Sequence, residues 1–361
     1  MKRFAITFIL PLIPLFGGNS SGMCGERSNP FTPVDVSPMA TPFFQLYREV
    51  VNGDFVAGGC ALSSGGSCSI TISGIPAGSS VVKAYLFWAT QDSVTSGVFN
   101  GTPITGTLAG NDCASCWVGN PTNVYYADVT PYVSGNGTYN LSGFGSITCG
   151  GPGSEGAVLI VVYCNGAEAK RTITVYTGAW EWVCSGDYSW THTGFTATNP
   201  VTSAKYLVAF GNGQNFESGG EYVYLNGNLI TTDIDGLTGP GSGPCGNGSL
   251  WDVFQGSATS WIPGGATSAT FSFNNSAAAD CWHITVSVLS VSSDDALTYT
   301  CAAGYDDPVL VDESKGVYYE GDMTVYSIGG SVIYKGKGFV KLPKGVYFIR
   351  YKDGVKKVLV R

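Results

Sequence analysis

Ala157-Val158-Leu159-Ile160-Val161-Val162-Tyr163 is apolar at every position. A run this short and this rich in β-branched residues reads as a strand, and its lack of alternation means both faces are covered. It therefore belongs at the centre of a sheet. His283-Ile284-Thr285-Val286-Ser287-Val288-Leu289 answers it about 126 residues later. Four further matches occur in the same order. Ala84-Tyr85-Leu86-Phe87-Trp88-Ala89 recurs as Lys205-Tyr206-Leu207-Val208-Ala209-Phe210, and Val98-Phe99-Asn100-Gly101 as Tyr224-Leu225-Asn226-Gly227. Tyr126-Ala127-Asp128-Val129 recurs as Leu250-Trp251-Asp252-Val253, and Tyr139-Asn140-Leu141-Ser142 as Thr270-Phe271-Ser272-Phe273. All are strand candidates separated by turn residues, and none sustains a helical period. The expected fold is all-β, with two tandem antiparallel β-sandwich modules, jelly-roll-like, at 51–178 and 179–293. Asn100-Gly101 and Asn226-Gly227 predict tight hairpin turns.

Composition agrees with that architecture. Hydrophobic residues make up 44% and charged residues only 12%, so the chain folds and keeps itself soluble through small polar side chains. A net charge of −8 argues against nucleic acid as a partner.

The termini predict export. Lys2 and Arg3 precede an apolar run, Phe4 to Phe16, which fits a signal peptide over residues 1–22 and is too short for a membrane span. Met23 before Cys24 fits a lipobox poorly. No other segment approaches a span, so the mature chain is expected to have none. Residues 23–50 are Pro-rich and read as a lead-in linker or strand. Outside the cytoplasm, eleven cysteines imply disulfides, and Cys60 and Cys68 bracket a loop suited to a local bridge. Cys113-x-x-Cys116 lacks the further ligands of a zinc site.

Residues 294–314 read as a second linker, and 315–361 as a small C-terminal β-sandwich. This tail carries ten Lys or Arg against three acidic residues, while residues 1–314 carry eight against twenty-three. Its strands include Val325 to Gly330, Val332 to Tyr334, Leu342-Pro343-Lys344-Gly345-Val346-Tyr347 and Val355 to Arg361. These segments resemble the C-terminal sorting domain of proteins exported by the bacterial type IX secretion system. The resemblance implies a secreted protein at the extracellular face of the outer membrane, with the secretion machinery as a partner through Leu342 to Tyr347. The body is similar to a group of bacterial and archaeal surface β-proteins. That likeness rests on Gly53 to Gly58, Ala84 to Ala89, Ala127 to Val133 and Gly156 to Tyr163, and implies surface exposure.

Candidate site residues cluster between the repeats: Trp180, Glu181, Trp182, Asp187, Trp190 and His192. Aromatic rings beside carboxylates suit sugar stacking and hydroxyl recognition, so a surface glycan is a candidate ligand. Packing between modules is the plainer reading. Glu181 with Asp187, or Glu221, would be the carboxylates of a glycosidase. His192 and His283 support no Ser-His-Asp triad, and His283 opens an apolar strand as a structural residue would. Asp233-x-Asp235-Gly236 has donors of the kind calcium prefers, without the rest of such a loop. A turn is expected there, with structural calcium the alternative and otherwise no cofactor. The sum is a structural or adhesive surface protein that is not an enzyme.

Overall fold

The computed structural model describes residues 41–91, 93–112, 121–146, 153–183, 186–212, 220–232, 234, 250–275, 281–301, 309–312, 316–351 and 354–360. The expected signal peptide, Cys24, Cys113, Cys116, Asp233 and Asp235 lie outside them. Among the described residues no helix is long and apolar enough to cross a membrane.

The described chain is all-β. The first module uses β1 (Thr41–Ala61), β2 (Cys68–Ile72), β3 (Ser80–Thr90), β4 (Ser96–Phe99), β5 (Thr102–Thr105), β6 (Thr107–Asp112), β7 (Thr122–Asp128), β8 (Gly137–Ser142) and β9 (Ser154–Cys164). The second uses β10 (Lys170–Val183), β11 (Gly186–Thr193), β12 (Ala204–Gly211), β13 (Glu221–Leu225), β14 (Asn228–Thr231), β15 (Trp251–Ser257), β16 (Ser268–Asn275) and β17 (Cys281–Ser292). In each module the strand order is that of a jelly roll. The inner strands form one nine-stranded sheet, β15-β12-β17-β10-β1-β9-β3-β7-β6, which divides at β1 into an inner sheet for each module; the outer sheets run β2-β8-β4-β5 and β11-β16-β13-β14.

The two inner sheets face each other, so the body has four layers and three cores. Alternation along β9 shows it directly. Ala157, Leu159, Val161 and Tyr163 enter the core of the first sandwich. Val158, Ile160 and Val162 enter a middle core with Ile173, Val175, Leu207, Ala209, Val286 and Val288 of the second module. The third core lies within the second sandwich. That is why this strand has no polar face. Each such fully buried side chain contributes about 1.5–3 kcal/mol relative to exposure.

β1 serves both modules. Its first half pairs with β10, from Thr41↔Ala179 to Asn52↔Lys170, and its second half pairs with β9, from Gly53↔Cys164 to Ala61↔Gly156. Residues 41–50, expected as lead-in, are thus a strand of the second module's inner sheet. The expected boundary at 178/179 falls inside β10.

The C-terminal module contains β18 (Val309–Asp312), β19 (Gly316–Ser327), β20 (Val332–Lys341), β21 (Gly345–Tyr351) and β22 (Gly354–Val360). Val317, Met323, Val325, Leu342, Tyr347, Ile349 and Val358 form a core of its own. Leu342 and Tyr347 of the motif are buried in it, and the Tyr347 hydroxyl donates to the Pro343 carbonyl at 2.7 Å.

Candidate functional site

The outer sheet of the second sandwich presents one face to solvent, and strict alternation decides what it carries. On β13, Glu221, Val223 and Leu225 point inward, so Tyr222 and Tyr224 point out. On β16, Phe271 and Phe273 are core, leaving Thr270, Ser272 and Asn274 outside. On β11 the outward residues are Asp187, Ser189 and Thr191.

Register lines these residues into rows across three strands. Asp187, Asn274 and Tyr222 form one row, and Ser189, Ser272 and Tyr224 the next. The Asn274 side-chain amide donates to Asp187 Oδ1 at 2.6 Å, which fixes both groups at the surface. Thr191 and Thr270 share a hydrogen bond of 3.0 Å in the row beyond. The two tyrosine rings lie 6.4 Å apart and 20° from parallel, each half-buried. A shallow cavity of about 300 Å³ runs beside them, lined by Asp187, Ser189, Tyr224, Ser272 and Asn274. The result is a flat aromatic platform bordered by donors and acceptors. Tyrosine suits this position because its ring is apolar and its hydroxyl remains wet.

The sequence-derived cluster is divided by the fold. Trp190 and His192 are buried, on the inward side of β11. The Trp190 indole donates to Ser287 Oγ at 2.7 Å, and His192 bridges Thr174 and Ser287 at 2.8 Å each. Burial pushes the His192 pKa down to about 3, so the ring is neutral. Trp180 is half-buried and stacks on Tyr188 with centroids 4.0 Å apart. Tyr188 in turn stacks on Trp190, and Trp190 on Phe271. These aromatics tie β10 to the outer sheet as packing. Asp187 alone of the cluster stands on the platform. Glu181 and Trp182 pair in β10 with His283 and Trp282, on a different sheet from Asp187; their side chains lie outside the described residues. Glu221 is buried.

A second polar centre sits between the modules. Glu155 of β9 and His283 of β17 are fully buried, with Oε2 and Nε2 3.4 Å apart. Gln91 donates to the other carboxylate oxygen at 2.6 Å. Burial pushes the His283 pKa down to about 3, so the imidazole is neutral and faces Glu155 as an uncharged ring rather than as a cation. A Cβ on Gly211 would fall 2.3 Å from both Glu155 Oε2 and the His283 ring, so a glycine there leaves room for the two groups. His283, expected as a structural residue, is fully buried in β17. Glu155 was not legible as its partner, because they are 128 residues apart. Among the described residues no cluster of ligands suits a metal ion.

No family model matches the chain, and no curated protein is significantly similar to it. Among solved structures it aligns with the glycoside hydrolase BuGH86 bound to neoagarooctaose. A point variant aligns at 12% identity and TM-score 0.24, the wild type at 12% and 0.26. These alignments cover 68% of this chain but 34% and 35% of BuGH86, so the chain spans about a third of that protein's length. N-glycanase F aligns at 12% identity and TM-score 0.21, over 73% of this chain and 98% of that one. One expectation is corrected here. The chain reads from sequence as a protein that is not an enzyme, yet solved structures it aligns with include a glycoside hydrolase and a glycanase. That exclusion is withdrawn; at these TM-scores neither activity passes to this chain.

Proposed function

We propose that the chain is an exported β-protein that binds polysaccharide on the outer sheet of its second jelly roll. One observation carries this reading. The two jelly rolls share a topology, so the first supplies an internal control for the second. At the positions of Tyr222 and Tyr224 the first sandwich has Ser96 and Val98, on β4 beside the same turn. The fold therefore does not require aromatic residues there. Two near-parallel rings flanked by Asp187, Asn274, Ser189 and Ser272 suit the apolar faces and hydroxyl rim of consecutive sugar units.

Two formed disulfides support an oxidising compartment, Cys60–Cys68 and Cys164–Cys301. The C-terminal module supports the same reading, as the sorting element through which a type IX-like machinery would place the chain on the cell surface. Recovery of the folded chain from the cytoplasm would end the export part of the proposal.

Binding is tested by affinity electrophoresis and calorimetry against a panel of neutral polysaccharides. Replacing both Tyr222 and Tyr224 by Ala is expected to lower affinity at least about tenfold, the usual cost of truncating central aromatic contacts. Some thermal stability should be lost, because both rings are half-buried strand residues, but the variant should stay folded at the assay temperature. Native protein that binds no member of the panel, or a double variant that binds as tightly as native, overturns the assignment.

A further inference from the structure

A different groove, of about 580 Å³, lies where the free edge of the second half of β1 meets β12 and β15. Two cations line it, and their circumstances differ. Arg171 is paired with carboxylates. It donates to the Gly53 carbonyl at 2.7 Å, to Glu168 at 3.0 Å and to Ser203 Oγ at 3.0 Å, and lies 3.9 Å from Asp54. Lys205, on the face of β12 that carries the middle-core residues Leu207 and Ala209, is not. Its ammonium has three donors. One goes to the Phe55 carbonyl at 2.8 Å, and the group sits 4.5 Å above the Phe55 ring. Among the described residues no carboxylate lies within ion-pair distance of it. Burial lowers its pKa and Asp54 opposes the shift; a bound anion would favour the charged form further.

The rest of the lining mixes donors and acceptors: the Asp54 carboxylate, the hydroxyls of Ser203, Ser257 and Thr259, the amide of Gln255, and Tyr163. Burial, with Asp54 and Glu168 nearby, pushes the Tyr163 pKa up to about 12, so its hydroxyl keeps its proton. The groove thus offers Lys205 as a cation with no described carboxylate at ion-pair distance, and places the Asp54 carboxylate elsewhere in the lining.

We propose that this inter-module groove binds the carboxylate of an acidic sugar, a uronate unit, against Lys205. A carboxylate forms charge-assisted hydrogen bonds with an ammonium, and the surrounding hydroxyls and amide match a sugar's ring substituents. An acidic peptide adding to the β1 edge is disfavoured. Such a strand needs the edge carbonyls. Lys205 already occupies that of Phe55, and the Gln255 amide lies 3.5 Å from that of Ala57. This site goes beyond the tyrosine platform and does not depend on it.

The test is calorimetry of native protein with galacturonate oligomers, their methyl esters and poly-glutamate. Native protein should bind the free acid roughly tenfold more tightly than the ester, the scale of a hydrogen bond to a charged group. Lys205→Gln, which keeps one N–H for the Phe55 carbonyl, should abolish that preference, whereas Tyr222→Ala with Tyr224→Ala should leave it intact. If Lys205→Gln fails to fold, the acid-to-ester ratio on native protein decides alone. Equal affinity for acid and ester, no binding of the acid, or equal or tighter binding of poly-glutamate overturns the proposal. Loss of uronate binding in the tyrosine variant but not in Lys205→Gln overturns it too, and moves the ligand to the platform.

Discussion

His192 shows how a residue's chemistry is decided by its neighbours. It is fully buried between Thr174 and Ser287, with the Tyr176 and Phe271 rings close on either side. Each imidazole nitrogen meets a hydroxyl, so the neutral ring is satisfied and the charged ring would be stranded. Its pKa falls from 6.5 to about 3. The unfolded chain takes up a proton near pH 6.5 that the folded chain refuses until about pH 3. Stability is therefore intact above pH 6.5 and falls as pH drops from there, by up to about 1.4 kcal/mol per pH unit from this residue. Thermal melts between pH 7 and pH 4 should show a steep loss for native protein. His192→Gln can still bond Ser287 but has nothing to titrate, so its melting temperature should fall less over that range. Identical slopes would refute this account.

At the scale of elements, the two Asn-Gly turns behave as their sequence demands. Asn226 and Gly227 have φ of 48° and 75°, and Asn100 and Gly101 have 48° and 83°. Both central residues of each hairpin turn are thus left-handed, which glycine tolerates and a β-branched residue does not. A Cβ at position 227 would meet nothing within 4 Å, so a substitution there acts through the backbone alone. Gly227→Val should cost about 1–2 kcal/mol, read as a lower urea midpoint at unchanged slope; an unmoved midpoint would show the turn can adopt another conformation. These turns, and the doubly apolar β9, were legible because they are local properties. The repeat was legible in order but not everywhere in register. Residue-type matching sets Ala84 against Lys205, yet Ala84 is core and Lys205 lines the groove. Likewise Tyr139 is core, while its match Thr270 faces outward. A slip of one residue exchanges the faces of a strand. The same parity explains the reassigned site. Tyr188, Trp190 and His192 share one face of β11, and burial of Trp190 and His192 shows that it is the inner one. Glu-Tyr-Val-Tyr-Leu over 221–225 already placed Tyr222 and Tyr224 opposite Val223 and Leu225. The sharing of β1 left no such mark, because pairing between modules is set by tertiary contact.

At the scale of the whole molecule, the two bridges found among the described residues differ in what they hold. Cys60–Cys68 closes an interval of 8 residues between neighbouring strands. Cys164–Cys301 closes 137 residues and fastens the segment after the second jelly roll to the last strand of the first. Nearby, Thr298 and Tyr299 donate backbone hydrogen bonds to the Val50 carbonyl on the shared strand β1. The second jelly roll is thus clasped at both ends, by β1 before it and by the bridge after it. In the chain-entropy account, cross-links restrict the unfolded state more as the loop lengthens, giving roughly 2–3 kcal/mol for the short loop and about 5 kcal/mol for the long one. Replacing Cys164 and Cys301 together by Ser should therefore lower the melting temperature more than replacing Cys60 and Cys68. The long-range pair should also matter after truncation at Cys301, since the C-terminal module has a core of its own and the clasp lies wholly within the remaining chain. Melting curves of both pairs, in full-length and truncated chains, check this. A larger loss from the short bridge would mean that local geometry rather than loop length sets its contribution. A long bridge without effect in either chain would show that β1 and the middle core hold the two jelly rolls together unaided.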